Sequence, residues 1–274
     1  MVRTRIACMA IAALIAGTAA AFAPLQARAG TPLRVCADPD FMPYSNRAGD
    51  GFENKIAQTV ARTLGRPLVY VWKSIRGGTG FEEMVHRDLN AGKCDLIVDV
   101  PYADSEVQTT HPYYISSYVF VYKKGSHADI TSLDSPALRH VKIGYEADTP
   151  VEMGLKMRAL TVGAKPFLTA DEEDAPPDAL VNAVQDGTIS VGLSWAPAVG
   201  YFVGQHADLA TTIIPNSRSQ GSPEQYTFPM AMGARDGNTA LVNALNRALA
   251  LDKSQIYGIL RSYHITFLEP NGNG

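Results

Sequence analysis

Two patterns of residues in this chain could support catalysis or metal binding. Residues 192–196 (GLSWA) contain the Gly-x-Ser start of a hydrolase nucleophile elbow, but Ala stands where the final Gly belongs. No Asp and His follow in a convincing order, so the motif does not indicate an acyl-transfer triad. Residues 171–178 are rich in carboxylates but lack EF-hand spacing and a turn glycine. They indicate a solvated loop rather than a cation site.

Histidines could also ligate a metal ion. The six are scattered without the short, fixed spacing of a ligand set: His86, His111, His127, His140, His206 and His264. We therefore predict no metal site and no catalytic residue, and keep metal delivery as an alternative role.

The start of the chain has the pattern of a secretory leader. A positively charged start precedes an apolar, Ala-rich stretch, and residues 27–29 (ARA) fit a small-x-small cleavage site. This predicts a signal peptide over residues 1–29 and a periplasmic protein without a membrane anchor. Without the leader's three arginines the formal net charge falls from −3 to −6. An acidic surface disfavours nucleic acid and anionic lipid as partners.

Two cysteines remain after the leader, Cys36 and Cys94. In an oxidising compartment two thiols are usually paired. The strands that carry them should be neighbours in one parallel sheet, so we predict a Cys36–Cys94 disulfide. Two buried free thiols are the alternative.

The elements around these residues predict an α/β fold. Residues 33–37 and 96–98 read as buried strands, and residues 113–122 favour extended backbone. Residues 52–64 place apolar side chains on one helical face. The polar loop at residues 38–51 follows the first strand, and such loops form the ligand crevice of open α/β sheets.

Residues 89–125, a helix end, a strand, a loop and a long β-rich run, resemble the cleft-lining stretch of periplasmic solute-binding proteins. The resemblance implies a two-lobe type II fold in which each lobe is a mostly parallel sheet flanked by helices. Two crossing hinge strands would join the lobes. We expect lobe 1 at residues 30–120 and 226–265, lobe 2 at 121–225, and a flexible tail at 266–274.

The charged groups that hold amino acids in this family are missing at the matching positions. The loop at residues 100–107 contains no Arg or Lys to pair with a carboxylate. Trp195 stands where the family has an Asp before Thr-Pro. Because burying a charged ligand without partners is costly, a free amino acid is not the predicted ligand.

Several blocks together resemble one subfamily, the accessory proteins of quinoprotein methanol dehydrogenases (MxaJ/XoxJ type). They are residues 33–39 (LRVCADP), 51–57 (GFENKIA), 89–95 (LNAGKCD), 110–114 (THPYY) and 195–202 (WAPAVGYF). The resemblance implies protein–protein binding to a pyrroloquinoline-quinone (PQQ) methanol dehydrogenase, with its cytochrome c as a second candidate partner. It implies neither catalysis nor a cofactor in this chain. We favour the lanthanide-dependent kind of dehydrogenase, although residues 73–87 depart from the basic pattern of the group.

Aromatic residues near the expected cleft are the candidates for partner binding, since Tyr and Trp are enriched at interfaces. They are Phe41, Tyr44, Tyr102, Tyr113, Trp195 and Tyr201. For Tyr113 and Tyr201 a place in the core is the alternative. The alternative function is an ABC-transporter receptor for a small uncharged solute, which an aromatic cleft with few polar groups would suit.

Overall fold

A computed structural model describes residues 30–77, 79–168 and 175–270. The predicted signal peptide, residues 171–174 of the acidic segment and the last four residues lie outside the described residues. The strands are β1 (Leu33–Ala37), β2 (Asp40–Phe41), β3 (Ser45–Asn46), β4 (Leu68–Trp72), β5 (Leu96–Pro101), β6 (Gln108–Thr109), β7 (Tyr114–Lys123), β8 (Ile143–Glu146), β9 (Lys165–Phe167), β10 (Val191–Trp195), β11 (Leu209–Ile213) and β12 (Thr227–Ala234).

The helices flank these strands. They are α1 (Phe52–Thr63), α2 (Gly80–Met84) with a π-helical turn (Val85–Leu89), a 3-10 turn (Pro136–His140), α3 (Pro150–Met157), α4 (Ala179–Gln185), α5 (Ala196–Val203) and α6 (Thr239–Ser262). The sequence predicts two helices near residues 238–251 and 254–263, whereas α6 runs unbroken. Asp252 and Lys253 interrupt the apolar stripe there, but no Gly or Pro breaks the backbone. None of the described helices combines the length and apolar composition that a membrane crossing requires.

The sheet has the order β4-β1-β5-β12-β7-β10-β8-β9, with β6 on β12 and β11 on β7. In the first lobe β1 is parallel to β4 and β5, and in the second lobe β8 is parallel to β9 and β10. β7 and β12 pair antiparallel at the centre and connect the lobes. The predicted fold class is therefore confirmed, while the exact residue limits of the lobes stay a prediction.

The predicted disulfide is confirmed. Cys36 in β1 and Cys94, before β5, have their Cα atoms 5.6 Å apart and close a separation of 58 residues. Both cysteines are buried in an apolar cluster with Met84, Leu89 and Ile97. The bond connects β1 to the segment that leads into β5.

The segment after α6 ties the lobes together a second time. Residues 263–265 pack against α5, so closely that a Cβ on Gly200 would lie 2.8 Å from the His264 carbonyl oxygen. Leu268 exchanges two backbone hydrogen bonds with Ile115 of β7, at 2.9 and 3.0 Å. Ser117 donates to the carbonyl of Thr266. Part of the stretch that we assigned to a flexible tail is thus bound to β7.

Replacing both cysteines (Cys36→Ala with Cys94→Ala) should lower the free energy of unfolding by about 4 kcal/mol. The cross-link restricts the unfolded chain over a 58-residue separation, and the variant loses that restriction. Chemical denaturation with and without reductant checks this. The reduced native protein should match the variant, and a variant as stable as the oxidised protein would contradict the prediction.

Gly200→Ala should destabilise the protein by about 1–3 kcal/mol, because the added methyl group meets the backbone of His264. Gly258→Ala is the matched control, since a Cβ on that residue of α6 meets no atom within 4 Å. The control should gain about 0.5–1 kcal/mol from helix propensity. Urea denaturation measures both, and a neutral Gly200→Ala would show that α5 and residues 263–265 do not pack closely in solution.

Candidate functional site

A cavity of about 460 Å³ lies between the lobes, where the carboxyl ends of β1, β5, β8 and β10 meet. The carboxyl ends of parallel strands are where α/β sheets bind ligands. The size is that of a small-molecule site. Apolar side chains form most of its surface: Phe41, Ile75, Phe81, Met84, Ile97, Phe228 and Met230.

Aromatic rings from both lobes form one side of the cavity. Tyr44, in the loop after β1, stacks on Phe41 with ring centroids 4.6 Å apart. Across the cleft, Trp195 stacks on Tyr44 at 6.0 Å with an interplanar angle of 24°. On the strands that connect the lobes, Tyr118 meets Phe228 edge to face at 6.2 Å. The aromatic contacts therefore connect the lobes at the cavity.

Four carboxylates also line the cavity: Glu53, Asp99, Glu146 and Asp148. Glu53 is in the first turn of α1, Asp99 is in β5, and the other two lie at the end of β8 and just beyond it. None of the cavity-lining residues among those described is Lys or Arg. The cavity is thus lined by acidic side chains on one part and by apolar side chains on the rest.

Hydrogen bonds hold two of these carboxylates in place. The hydroxyl of Tyr114 donates to Asp99 Oδ2 at 2.8 Å, and that of Tyr113 lies 3.1 Å from Asp99 Oδ1. Glu146 Oε2 accepts from Ser194 Oγ at 2.9 Å and from the Trp195 amide at 3.2 Å. The second contact lies at the start of α5, where the helix favours a negative charge.

Burial strongly affects the protonation of these groups. It raises the pKa of Asp99 to about 7, although the tyrosine hydroxyls favour the charged form. Burial, and then the charge of Asp99, raises the pKa of Glu53 well above its usual range. Burial and then the charge of Glu146 raise the pKa of the Tyr44 phenol. The charges of Asp99 and Glu53 add to this effect on the pKa of Tyr44.

The structure brings three of the six predicted aromatic candidates into the cavity, namely Phe41, Tyr44 and Trp195. Tyr113 is buried beneath it and reaches Asp99 through its hydroxyl. Tyr201 packs against Phe202 and Tyr263 outside the cavity.

Tyr102 is 47 % exposed, in the turn after β5, and lies outside the cavity lining. Its backbone amide donates to the Pro229 carbonyl at 2.8 Å. Of the six candidates, Tyr102 therefore presents the most open ring to a partner in solution.

The cavity carboxylates were not among the candidates predicted from the sequence. Asp99 was the clearest signal, because an ionisable residue interrupts the apolar run LIVDV of a strand covered on both faces. Glu53 and Glu146 gave weaker signals, as a helix start and a strand end that meet only in the folded protein. Among the described residues no group of three His, Cys, Asp or Glu side chains could hold a metal ion.

The two-lobe sheet and the cleft at its carboxyl ends define a periplasmic binding protein. The family model described as bacterial extracellular solute-binding proteins, family 3, matches residues 33–263. The chain belongs to this family.

Within the family, the resemblance to the MxaJ/XoxJ type is confirmed over the whole length. Protein MoxJ of Methylorubrum extorquens is 31% identical, over 97% of this chain and 96% of its own. The crystal structure of MxaJ from Methlophaga aminisulfidivorans superposes with a TM-score of 0.77 at 28% identity, covering 86% of this chain and all of that one. The crystal structure of periplasmic binding protein XoxJ from Methylobacterium extorquens AM1 superposes with a TM-score of 0.69 at 30% identity. The match covers 87% of this chain and all of that one.

Stability should fall as the pH rises from 5 to 8. In that range the native state keeps protons on Asp99 and Glu53 that the unfolded chain has released, so the native state binds more protons and higher pH favours unfolding. Each group contributes at most about 1.4 kcal/mol per pH unit. Asp99→Asn should reduce this slope, as urea denaturation at four pH values would measure.

Asp95→Asn is the matched control. Burial opposes ionisation of Asp95, but hydrogen bonds from Arg34 hold its pKa below the usual range. Its contribution to stability is therefore complete above pH 5 and is lost only in stronger acid. The control should be less stable at every pH from 5 to 8 with an unchanged slope. A wild-type stability that rises across this range would contradict the assignment of Asp99 and Glu53.

Proposed function

We propose that this chain is a periplasmic accessory protein of a PQQ-dependent methanol dehydrogenase, and that it acts by protein–protein binding rather than by catalysis. The observation that carries the proposal is the whole-length similarity to MoxJ, MxaJ and XoxJ proteins. This chain would assist activation, assembly or maturation of the dehydrogenase. The dehydrogenase itself would hold the quinone and its metal ion. The lanthanide-dependent enzyme is the partner we propose, with its cytochrome c as a second binding partner.

The cleft supports this proposal by what it lacks. An amino-acid receptor needs a cation to pair with the ligand carboxylate, and among the described residues that line the cavity none is Lys or Arg. Trp195 occupies the position of the ammonium partner and stacks on Tyr44 instead. This chain therefore keeps the receptor fold without the receptor's charged pair for amino acids.

A transport receptor for a small solute is the second candidate, and the cavity of about 460 Å³ is the observation that favours it. We predicted an uncharged solute from the sequence. Glu53 and Asp99 in the cavity favour a solute with a positively charged hydrogen-bond donor instead, because an apolar uncharged ligand would leave the Glu53 carboxylate without a partner.

Affinity purification of tagged residues 30–274 from the periplasm of methanol-grown cells tests the accessory role. We expect near-stoichiometric recovery of a quinoprotein dehydrogenase by mass spectrometry, and of the lanthanide-dependent enzyme in cells supplied with La³⁺. Cells supplied only with Ca²⁺ are the comparison. Recovery of the tagged protein without any dehydrogenase under both conditions would contradict the proposal.

Tyr102→Ala should lower the recovery of the dehydrogenase by about tenfold or more, because exposed aromatic rings are frequent hot spots of interfaces. Leu251→Ala is the matched control, an apolar side chain on α6 that is 78 % exposed. Its recovery should equal that of wild type. Equal losses in both variants would assign the effect to general surface hydrophobicity rather than to the ring of Tyr102.

A further inference from the structure

The Glu53 carboxylate lines the cavity without a partner. The residue is half-buried, and among the described residues none donates a hydrogen bond to its carboxylate. The charged groups that act on it, Asp99 and Asp38, are themselves acidic. Carboxylates that are partly withdrawn from water are normally paired with a cation or hydrogen-bonded, so Glu53 offers its oxygens to a donor in the cavity.

Asp99 points to the same region and has spare capacity. It accepts hydrogen bonds from the hydroxyls of Tyr113 and Tyr114, at 3.1 and 2.8 Å. A carboxylate offers about four acceptor positions, so at least one remains for a donor in the cavity. Both Asp99 and Glu53 line the cavity, and the charge of Asp99 raises the pKa of Glu53, so the two carboxyl groups are neighbours.

The rings beside these charges suit a cation. Tyr44 stacks between Phe41 and Trp195, at centroid distances of 4.6 and 6.0 Å, and all three side chains line the cavity. The faces of such rings carry negative potential and attract ammonium groups. The rest of the lining includes aliphatic and thioether side chains, namely Ile75, Met84, Ile97 and Met230. That part would bury an apolar body.

We propose that the cavity binds a small organic ammonium ion, with its charged group against Glu53 and Asp99 and its apolar body against the apolar lining. A zwitterionic amino acid is disfavoured because, in the part of the chain that the structure describes, no lining residue is a Lys or Arg that could pair with its carboxylate. A metal ion is disfavoured because the described carboxylates form no group of three that could ligate it. This inference goes beyond the accessory role and does not depend on a dehydrogenase.

Isothermal titration calorimetry of the full mature chain at pH 8 tests it, with 2-phenylethylammonium as the probe. The alcohol 2-phenylethanol has nearly the same shape and no charge. We expect saturable 1:1 binding of the ammonium and about tenfold or weaker binding of the alcohol. Equal affinity for the two, or binding of neither, would overturn the proposal.

Substitutions locate the charge contact. Glu53→Gln should lower the affinity for 2-phenylethylammonium about tenfold or more and leave the affinity for 2-phenylethanol unchanged, since only the charge is removed. Asp99→Asn should act in the same way and serves as the second variant if Glu53→Gln does not fold. Asp236→Asn, an exposed carboxylate after β12, is the control and should bind like wild type. Unchanged ammonium affinity in both cavity variants would overturn the assignment.

A lysine side chain of another protein presents the same ammonium group. Nα-acetyl-lysine amide distinguishes this source from a free amine, because its polar backbone has no partner in the apolar part of the cavity. We expect it to bind at least about tenfold more weakly than 2-phenylethylammonium. A preference for the lysine derivative would overturn the assignment to a free small molecule.

Discussion

The fold depends on one strand that belongs to both lobes. β7 pairs with β12 through its first residues, Tyr114 to Ser117, and is flanked by β10 and β11 from Tyr118 onward. Every backbone hydrogen bond of the central connection therefore depends on the register of this strand. The register also decides which side chains reach the cavity. Tyr118 and Tyr122 lie four residues apart on the same face of β7, so their position along the strand decides that Tyr118 lines the cavity while Tyr122 lies farther along the second lobe.

The charge of the cavity is the second constraint, and it acts against the fold. Asp99 and Glu53 keep their protons more tightly in the folded protein than in the unfolded chain, because their partial burial disfavours the charged form. Such a placement lowers stability when the groups ionise, whereas Asp95 nearby is paired with Arg34 and stabilises. Within one lobe, the ionised Asp95 therefore stabilises the fold, whereas ionisation of Asp99 and Glu53 destabilises it. Titratable groups of the second kind are candidates for a functional site.

Local sequence patterns predicted much of this structure, because they report local preferences. The apolar runs at β1 and β5, the extended run of β7 and the cysteine pair all followed from short patterns and from the expected neighbours of parallel strands. The grouping of Glu53, Asp99 and Glu146 could not follow from them. These side chains come from a helix and two strands, and only the packing of both lobes brings them to one ring. Tyr113 shows the same limit, since its direction depends on the register of β7 against β12.

The short helix α5 connects the inside of the cleft to the outer surface. Its first turn carries Trp195 and Ala198, which line the cavity, and its far end abuts His264, an exposed residue after α6. Eight residues of α-helix span about 12 Å, so the two contacts lie on one stiff rod. We therefore expect a displacement of Trp195 to be passed along α5 to its contact with His264. A change inside the cleft would in this way reach a surface that a second protein can touch.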